Sequence, residues 1–185
     1  MRPRPPLVAL ALTGLLFAAC SDDTANPATS PPVTICEPSV TDQPAADLPD
    51  LANIPTAIAA LEAQLGGTQQ YFEINATARI VNLFVALNDG KVAQPWVWVD
   101  GALTSKDGQS ASGGTFVAAD LDYDPATVLS QVRAKVPEAI LESFYINGNG
   151  QGGTLYGVLA SAQCGGGLDV VVGPDGAVKS VDPVS

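Results

Sequence analysis

Two stretches of the chain repeat apolar residues at intervals of three and four, which is the spacing of an amphipathic helix. The first stripe consists of Ile54, Ile58, Leu61 and Leu65, and the second of Val128, Leu129, Val132 and Val136. Gly66 follows the first stripe as a stop signal. Asp124 and Pro125 suit the N-cap and the first helical position of the second. The pattern therefore predicts two helices, beginning near residues 54 and 125.

Elsewhere apolar residues alternate with polar ones, and Val, Ile, Phe, Tyr and Trp are frequent, as in strands with one buried face. This pattern predicts strands at about 71–75, 79–87, 93–100, 115–121, 144–147, 154–161, 168–172 and 177–181. Turn sequences such as Asn88-Asp89-Gly90 and Pro174-Asp175-Gly176 separate them. We expect the strands to pair as antiparallel hairpins.

Short blocks of sequence recur in the same order along the chain. Phe72-Glu-Ile-Asn is matched by Phe144-Tyr-Ile-Asn, and Asp100-Gly-Ala-Leu is matched by Asp175-Gly-Ala-Val. We interpret this as an internal repeat, with residues 50–123 as repeat 1 and residues 124–185 as repeat 2, together forming one compact domain. The predicted fold class is α+β. Each repeat has a helix followed by three to four antiparallel strands, and both helices pack on one sheet face.

This arrangement resembles PepSY-type modules and the tandem repeats of β-lactamase-inhibitor proteins. The sequence that carries the resemblance is the hairpin at 168–181, Leu-Asp-Val-Val-Val-Gly-Pro-Asp-Gly-Ala-Val-Lys-Ser-Val. The resemblance implies an inhibitory, regulatory or scaffolding module and not an enzyme.

The N-terminal segment has the pattern of a targeting signal. Two arginines precede an apolar run at residues 7–19, which has the length of a signal-peptide core and is too short to span a bilayer. Its end, Leu16-Phe17-Ala18-Ala19-Cys20, resembles the lipobox of bacterial lipoproteins, whose cysteine becomes the lipid-bearing N-terminus. We predict a signal peptide at 1–19 and a lipid on Cys20 that anchors the protein to the bacterial cell membrane, on the extracytoplasmic side. An ordinary secretory signal is the alternative.

Residues 20–49 are rich in Pro, Ser, Thr and Asp, which is typical of an extended tether. Cys36 lies in this segment, and Cys164 is the other cysteine besides Cys20. Cysteines outside the cytoplasm normally pair. We therefore predict a Cys36–Cys164 disulfide, and two free thiols are the alternative.

Composition narrows the possible functions. The chain has 8 basic and 19 acidic residues and no His, for a formal charge of −11. Loss of Arg2 and Arg4 with the signal peptide would leave six basic against 19 acidic residues, or −13. Such a charge disfavours nucleic-acid binding and repels anionic lipid headgroups. Without His there can be no His-based catalytic triad and no His metal site.

The residues that suit a binding role are Trp96 and Trp98, which alternate in a predicted strand and therefore share a face. Trp is common in binding hot spots. Pro95 beside them is typical of an edge strand, where a partner could add on. The alternative is that the two rings pack under a helix.

Three carboxylates, Asp120, Asp122 and Asp124, alternate at one strand end and form a weak candidate for a calcium site. The alternative is a solvated strand end together with a helix cap on Asp124. The sequence predicts no other metal site and no cofactor.

We expect a lipid-anchored, non-enzymatic lipoprotein that binds another envelope protein through its sheet surface or an edge strand. The alternative is a carrier of a hydrophobic small molecule or lipid in a cavity between the helices and the sheet. An enzyme would need two carboxylates placed together, and the sequence alone does not pair its scattered Asp and Glu residues.

Overall fold

A computed structural model describes Glu37 and residues 39–184 of the protein. Within these residues ten strands form one antiparallel sheet. Its strands are β1 (Gln70–Ala76), β2 (Val81–Leu87), β3 (Val92–Val99), β4 (Ala102–Ser105), β5 (Gln109–Ser110), β6 (Phe116–Val117), β7 (Ala139–Gly148), β8 (Thr154–Ala162), β9 (Gly167–Val172) and β10 (Val178–Val184). The strands follow the order β10-β9-β8-β7-β1-β2-β3-β4, while β5 pairs with β3 and β6 with β1.

The alternation seen in the sequence becomes a buried and a half-exposed face in the sheet. In β2, Val81, Leu83 and Val85 are buried, and the residues between them are not. The same alternation places Tyr156, Val158 and other strand residues in one continuous core. Because successive side chains of a strand point to opposite sides, one face of the sheet is apolar throughout and the other is not.

Both predicted helices are present, as α1 (Ile54–Leu65) and α2 (Pro125–Lys135). Gly66 ends α1 in a left-handed conformation (φ 82°), which glycine adopts without strain. Asp124 caps α2, because its Oδ2 accepts a hydrogen bond from the Thr127 backbone N–H at 2.7 Å. The sequence signals for the end of α1 and the start of α2 are thus confirmed. Buried residues of both helices belong to the same core as the apolar sheet face.

The predicted fold class was wrong. The chain is mostly one ten-stranded sheet with a 12-residue and an 11-residue helix, and not a tandem repeat of two helices packed on a sheet. Residues matched between the supposed copies differ in structure. Phe144 is fully buried, whereas Phe72 is half-buried where the register between β1 and β2 shifts. Alternating apolar residues produce such matches between any two strands, so sequence similarity there did not indicate a repeated unit.

The helices also bury little. The buried residues of α1 are Ile54, Ala57, Ile58 and Leu61, and α2 buries only Val128 and Val132. Leu65, the last residue of the predicted first stripe, is 39% exposed at the end of α1. Most of the core is therefore supplied by the strands.

Residues 39–47, which we call the strap, are hydrogen-bonded to the sheet. The Gln43 side chain accepts from the Leu141 backbone N–H at 2.9 Å and donates to the Leu141 carbonyl at 2.8 Å. Ser39 makes a similar pair with the Gln163 side chain, accepting at 2.8 Å and donating at 3.1 Å. Gln43 thus satisfies backbone groups of β7 much as a neighbouring strand would.

Candidate protein-binding face

The sheet face turned away from the core, which we call the open face, is the candidate site. Its members are the strand residues that alternate with the buried ones. They include Glu73, Asn75, Asn82, Ser143, Tyr145, Asn147, Leu155, Leu159, Asp169 and Asp182. Neither helix covers these positions, because the buried residues of α1 and α2 belong to the core on the opposite side. The open face is therefore formed by neighbouring strands of one sheet and is not covered by a helix.

A chain of side-chain hydrogen bonds crosses the open face from β2 to β1. Asn82 Nδ2 donates to Asn75 Oδ1 at 2.7 Å, and Asn75 Nδ2 donates to Glu73 Oε1 at 2.6 Å. Asn75 lies directly opposite both Asn82 and Tyr145 in the sheet register. The network holds these amides in fixed orientations, so a partner would meet a preorganised polar surface.

Tyr145 lies at the centre of the open face, and Gly157 makes room for its ring. A Cβ atom at Gly157 would overlap the phenol carbon and oxygen of Tyr145. The Tyr145 hydroxyl donates to Asp169 Oδ1 at 2.8 Å, across β8. Burial, the hydrogen bond to Asp169 and the negative charges of Glu73 and Asp182 raise the pKa of Tyr145 well above its ordinary value. The phenol is thus a neutral hydrogen-bond donor held among carboxylates.

Glu73, Tyr145 and Asp169 border a shallow cavity of about 400 Å³ on this face. Its other lining residues include Ser143, Asn147 and Leu159. Most of the lining residues are polar, and Tyr145 and the amides already use part of their hydrogen-bonding capacity within the network. A hydrophobic ligand would bury those polar groups without compensation, so the cavity suits a polar or charged group of a partner.

Large apolar side chains are exposed on the same face. Leu155 is 49%, Ile140 43% and Leu159 39% exposed, and each alternates with buried neighbours in its strand. Val99 and Val184 extend the set to β3 and β10. Protein interfaces combine exposed apolar side chains with polar groups, and the open face offers both.

Trp96 and Trp98, the binding candidates from the sequence, lie elsewhere. They are only 7% and 8% exposed and belong to the core, so they offer a partner little indole surface. The Trp96 indole N–H donates to Gln94 Oε1 at 3.3 Å. Strand β3, with Pro95, is not an edge strand, because β2 pairs with one side of it and β4 and β5 with the other. The edge prediction was wrong because the short strands β4 and β5 were not recognised in the sequence.

The three carboxylates proposed as a weak calcium site have separate surroundings. Asp120 Oδ2 accepts from the Val117 backbone N–H at 3.0 Å, while Asp124 caps α2. Asp122 is exposed, and its backbone N–H donates to the Tyr156 hydroxyl. Within the described part of the chain no group of three or more His, Cys, Asp and Glu side chains is arranged to hold a metal ion. The weak metal candidate is thus not assembled.

Of the three cysteines, Cys20 and Cys36 lie outside the described residues. Cys164 is described, is exposed and takes part in a disulfide. Its pairing with Cys36 stays a prediction. The two-fold hydrogen bonding between Ser39 and Gln163 supports it, since these residues are close in sequence to Cys36 and Cys164. Among the described residues no helix is long and apolar enough to cross a bilayer.

A second depression, of about 360 Å³, lies between α1 and residues 118–125. Ile58, Leu121 and Tyr123 line it together with Glu62. It is the place where the alternative function, a hydrophobic carrier, would find its ligand. Glu62 accepts hydrogen bonds there from the Gln69 backbone N–H and the Tyr71 hydroxyl.

No protein-family model matches this sequence, and no curated protein is detectably similar to it. Among solved structures, the chain is similar to a protein of Clostridium difficile 630 described as a "putative lipoprotein (CD1622)". The two chains share 10% sequence identity with a TM-score of 0.54, over 75% of this chain and 94% of the other. At that identity the likeness concerns the fold alone.

Proposed function

We propose that this protein is a lipid-anchored, non-enzymatic lipoprotein of the bacterial cell envelope that binds another envelope protein on its open face. The lipobox-like sequence ending at Cys20 supports the anchor. The fold is also shared with a protein described as a lipoprotein. The observation that carries the binding function is the open face itself, a broad sheet surface with fixed polar groups and exposed apolar side chains.

The sheet face is a better binding surface than its edges. Strand β4, at one edge, has only four residues, and β10, at the other edge, contains Pro183, which has no N–H to donate. A partner that added a strand at either edge would gain few backbone hydrogen bonds. The open face instead presents side chains from several neighbouring strands, on which an ordinary protein interface could form.

A non-enzymatic role is part of this proposal. His is absent, so general acid–base chemistry near neutral pH would require carboxylates with raised pKa values. The acidic residues of the open face have other roles. Asp182 is exposed and can attract a partner, and Asp169 accepts a hydrogen bond from the Tyr145 hydroxyl. These roles need no reacting substrate.

Site-specific photo-crosslinking tests the binding function. Benzoylphenylalanine would be introduced into the full-length lipidated protein, in its own host, at Leu155 on the open face or at Leu65 on α1. Both side chains are exposed, at 49% and 39%, so they differ mainly in location. We expect a discrete protein adduct from position 155 and none of the same mass from position 65. The proposal is contradicted if neither position gives a protein adduct, or if both positions give the same adduct in equal yield.

A further inference from the structure

Charge on the open face identifies the kind of partner. Strands β1, β7, β9 and β10 contribute Glu73, Glu142, Asp169 and Asp182, and across all ten described strands the one basic residue is Lys179. The side chain of Lys179 lies beside Gly173, at the end of β9, and not over the carboxylates. Glu142 lines a depression together with Arg79, from the segment between β1 and β2, so that carboxylate has a cation nearby. The part of the face around Tyr145 is negative, because no basic residue lines its cavity.

Asp169 and Asp182 are directly opposite each other in the register of β9 and β10. Like charges at opposite positions destabilise a pair of strands. The Tyr145 hydroxyl hydrogen-bonds to Asp169, but it brings no positive charge. A protein tolerates such an uncompensated pair at little cost when a cationic group of a partner neutralises it.

We propose that the open face binds a protein surface on which clustered Lys or Arg side chains alternate with apolar ones. This inference rests on the proposed function and specifies its partner. The cations meet Asp169, Asp182 and Glu73, while the apolar groups cover Leu155 and Leu159. An anionic lipid surface or a nucleic acid would be repelled by the same carboxylates.

Two synthetic peptides provide the probe, one of alternating Lys and Leu and one of alternating Glu and Leu. The protein is the full-length lipidated chain in phosphatidylcholine nanodiscs, and empty nanodiscs give the background. We expect the Lys peptide to bind, the Glu peptide not to bind, and the affinity for the Lys peptide to fall between about 50 mM and about 500 mM salt. Failure of the Lys peptide to bind, or equal binding of the two, overturns the inference.

A matched pair of variants separates a specific face from general attraction to an acidic protein. Asp169→Asn with Asp182→Asn removes two charges from the open face, and the amide oxygen introduced at position 169 can still accept the Tyr145 hydrogen bond. Asp89→Asn with Asp107→Asn removes two charges from exposed turns. We expect about tenfold weaker binding of the Lys peptide for the first pair and less than about twofold for the second. Equal losses overturn the inference.

These outcomes can be told apart from those of the crosslinking experiment. Protein adducts at position 155, with no preference for the Lys peptide, would overturn the charge inference and leave the binding function standing. If position 155 gives no adduct, the binding function fails, and the inference fails with it whatever the peptides do.

Discussion

The two faces of the sheet are made by the same strands, yet they differ in the kinds of residue they carry. On the covered face the buried strand residues, such as Tyr71, Ile74 and Phe144, are apolar or aromatic, and no buried polar or charged residue occurs in the described core. On the open face amides, carboxylates and a tyrosine form a network beside exposed leucines. The covered face is thus suited to stability, whereas the open face retains an unfavourable carboxylate pair. We take that contrast as the mark of a surface suited to binding.

The largest expected difference between the faces is in packing. Phe144 is fully buried, with ring centroids of Tyr123 and Tyr156 at 5.1 and 6.2 Å. Phe144→Ala should lower the free energy of unfolding by about 3–5 kcal/mol, because it leaves a cavity. Leu159→Ala on the open face should change it by about 0.5 kcal/mol or less. Urea unfolding measures both, and similar losses for the two variants would refute the assignment of the faces.

The strap adds a third region to the comparison, since it is hydrogen-bonded to the backbone of Leu141 in β7 and to Gln163 after β8. Replacing both Cys36 and Cys164 by Ser should lower the free energy of unfolding by about 2–5 kcal/mol, if the predicted disulfide closes that long loop. Thermal unfolding with and without reductant measures the effect. An unchanged melting temperature in the variant would mean that this pairing is absent or contributes nothing.

Gly157 tests whether packing also matters on the open face. Gly157→Ala would place a methyl group against the Tyr145 ring, and we expect a loss of about 1–3 kcal/mol in unfolding free energy. In a Tyr145→Ala background the same change should have a much smaller effect, because the obstructing ring is gone. Additive effects in this double-mutant cycle would show that the contact between the two residues is unimportant.

The free energy of unfolding at alkaline pH should depend on the tyrosines of both faces. Burial raises the pKa values of Tyr71 on the covered face and Tyr145 on the open face, while the unfolded chain ionises near the ordinary value of 10.0. The unfolded state therefore releases these protons first, and stability falls as pH rises above about 10. Tyr145→Phe should make that decline shallower in pH-dependent urea unfolding. An identical slope in the variant would mean that Tyr145 titrates normally.

The smallest expected effect is also the one most specific to the open face. Asp182→Asn removes one member of the opposed carboxylate pair and should raise the free energy of unfolding by about 0.2–1 kcal/mol at low salt. The gain should shrink at high salt, where screening already weakens the repulsion. A variant less stable than the natural protein would indicate that Asp182 has a stabilising contact in place of a repulsion.

The sequence was most informative where structure depends on neighbouring residues. Asp124, Pro125 and Gly66 identify the helix ends, because capping is a local interaction. Alternation identified most strands, and the turn at 88–90 has the expected left-handed residues. Alternation was less successful for the stretch 102–117, because β4, β5 and β6 have only two to four residues each, too few to show a pattern.

The candidate site was not predictable in the same way. Its residues come from strands that are distant in the chain, and only the pairing of β1 with β7 brings Asn75 next to Tyr145. Residue type alone singles out Trp96 and Trp98, and alternation does not tell which face of β3 is buried. One signal was available in the sequence: Asp169 is a charged residue within an otherwise apolar strand, and Asp182 lies between Val181 and Pro183. Only the register of β9 and β10 shows that these two carboxylates lie opposite each other.

The most direct test of the account is the native mass spectrum of the full-length protein, extracted gently from the membranes of its own host. We predict a complex that contains a second polypeptide, retained by Leu65→Asp and lost by Leu155→Asp with Leu159→Asp. Retention of that polypeptide by the open-face variant would contradict the account. A lipidated chain that carries only a small molecule of a few hundred daltons (on the scale of a drug-sized ligand) would contradict it too, and would favour the hydrophobic carrier instead.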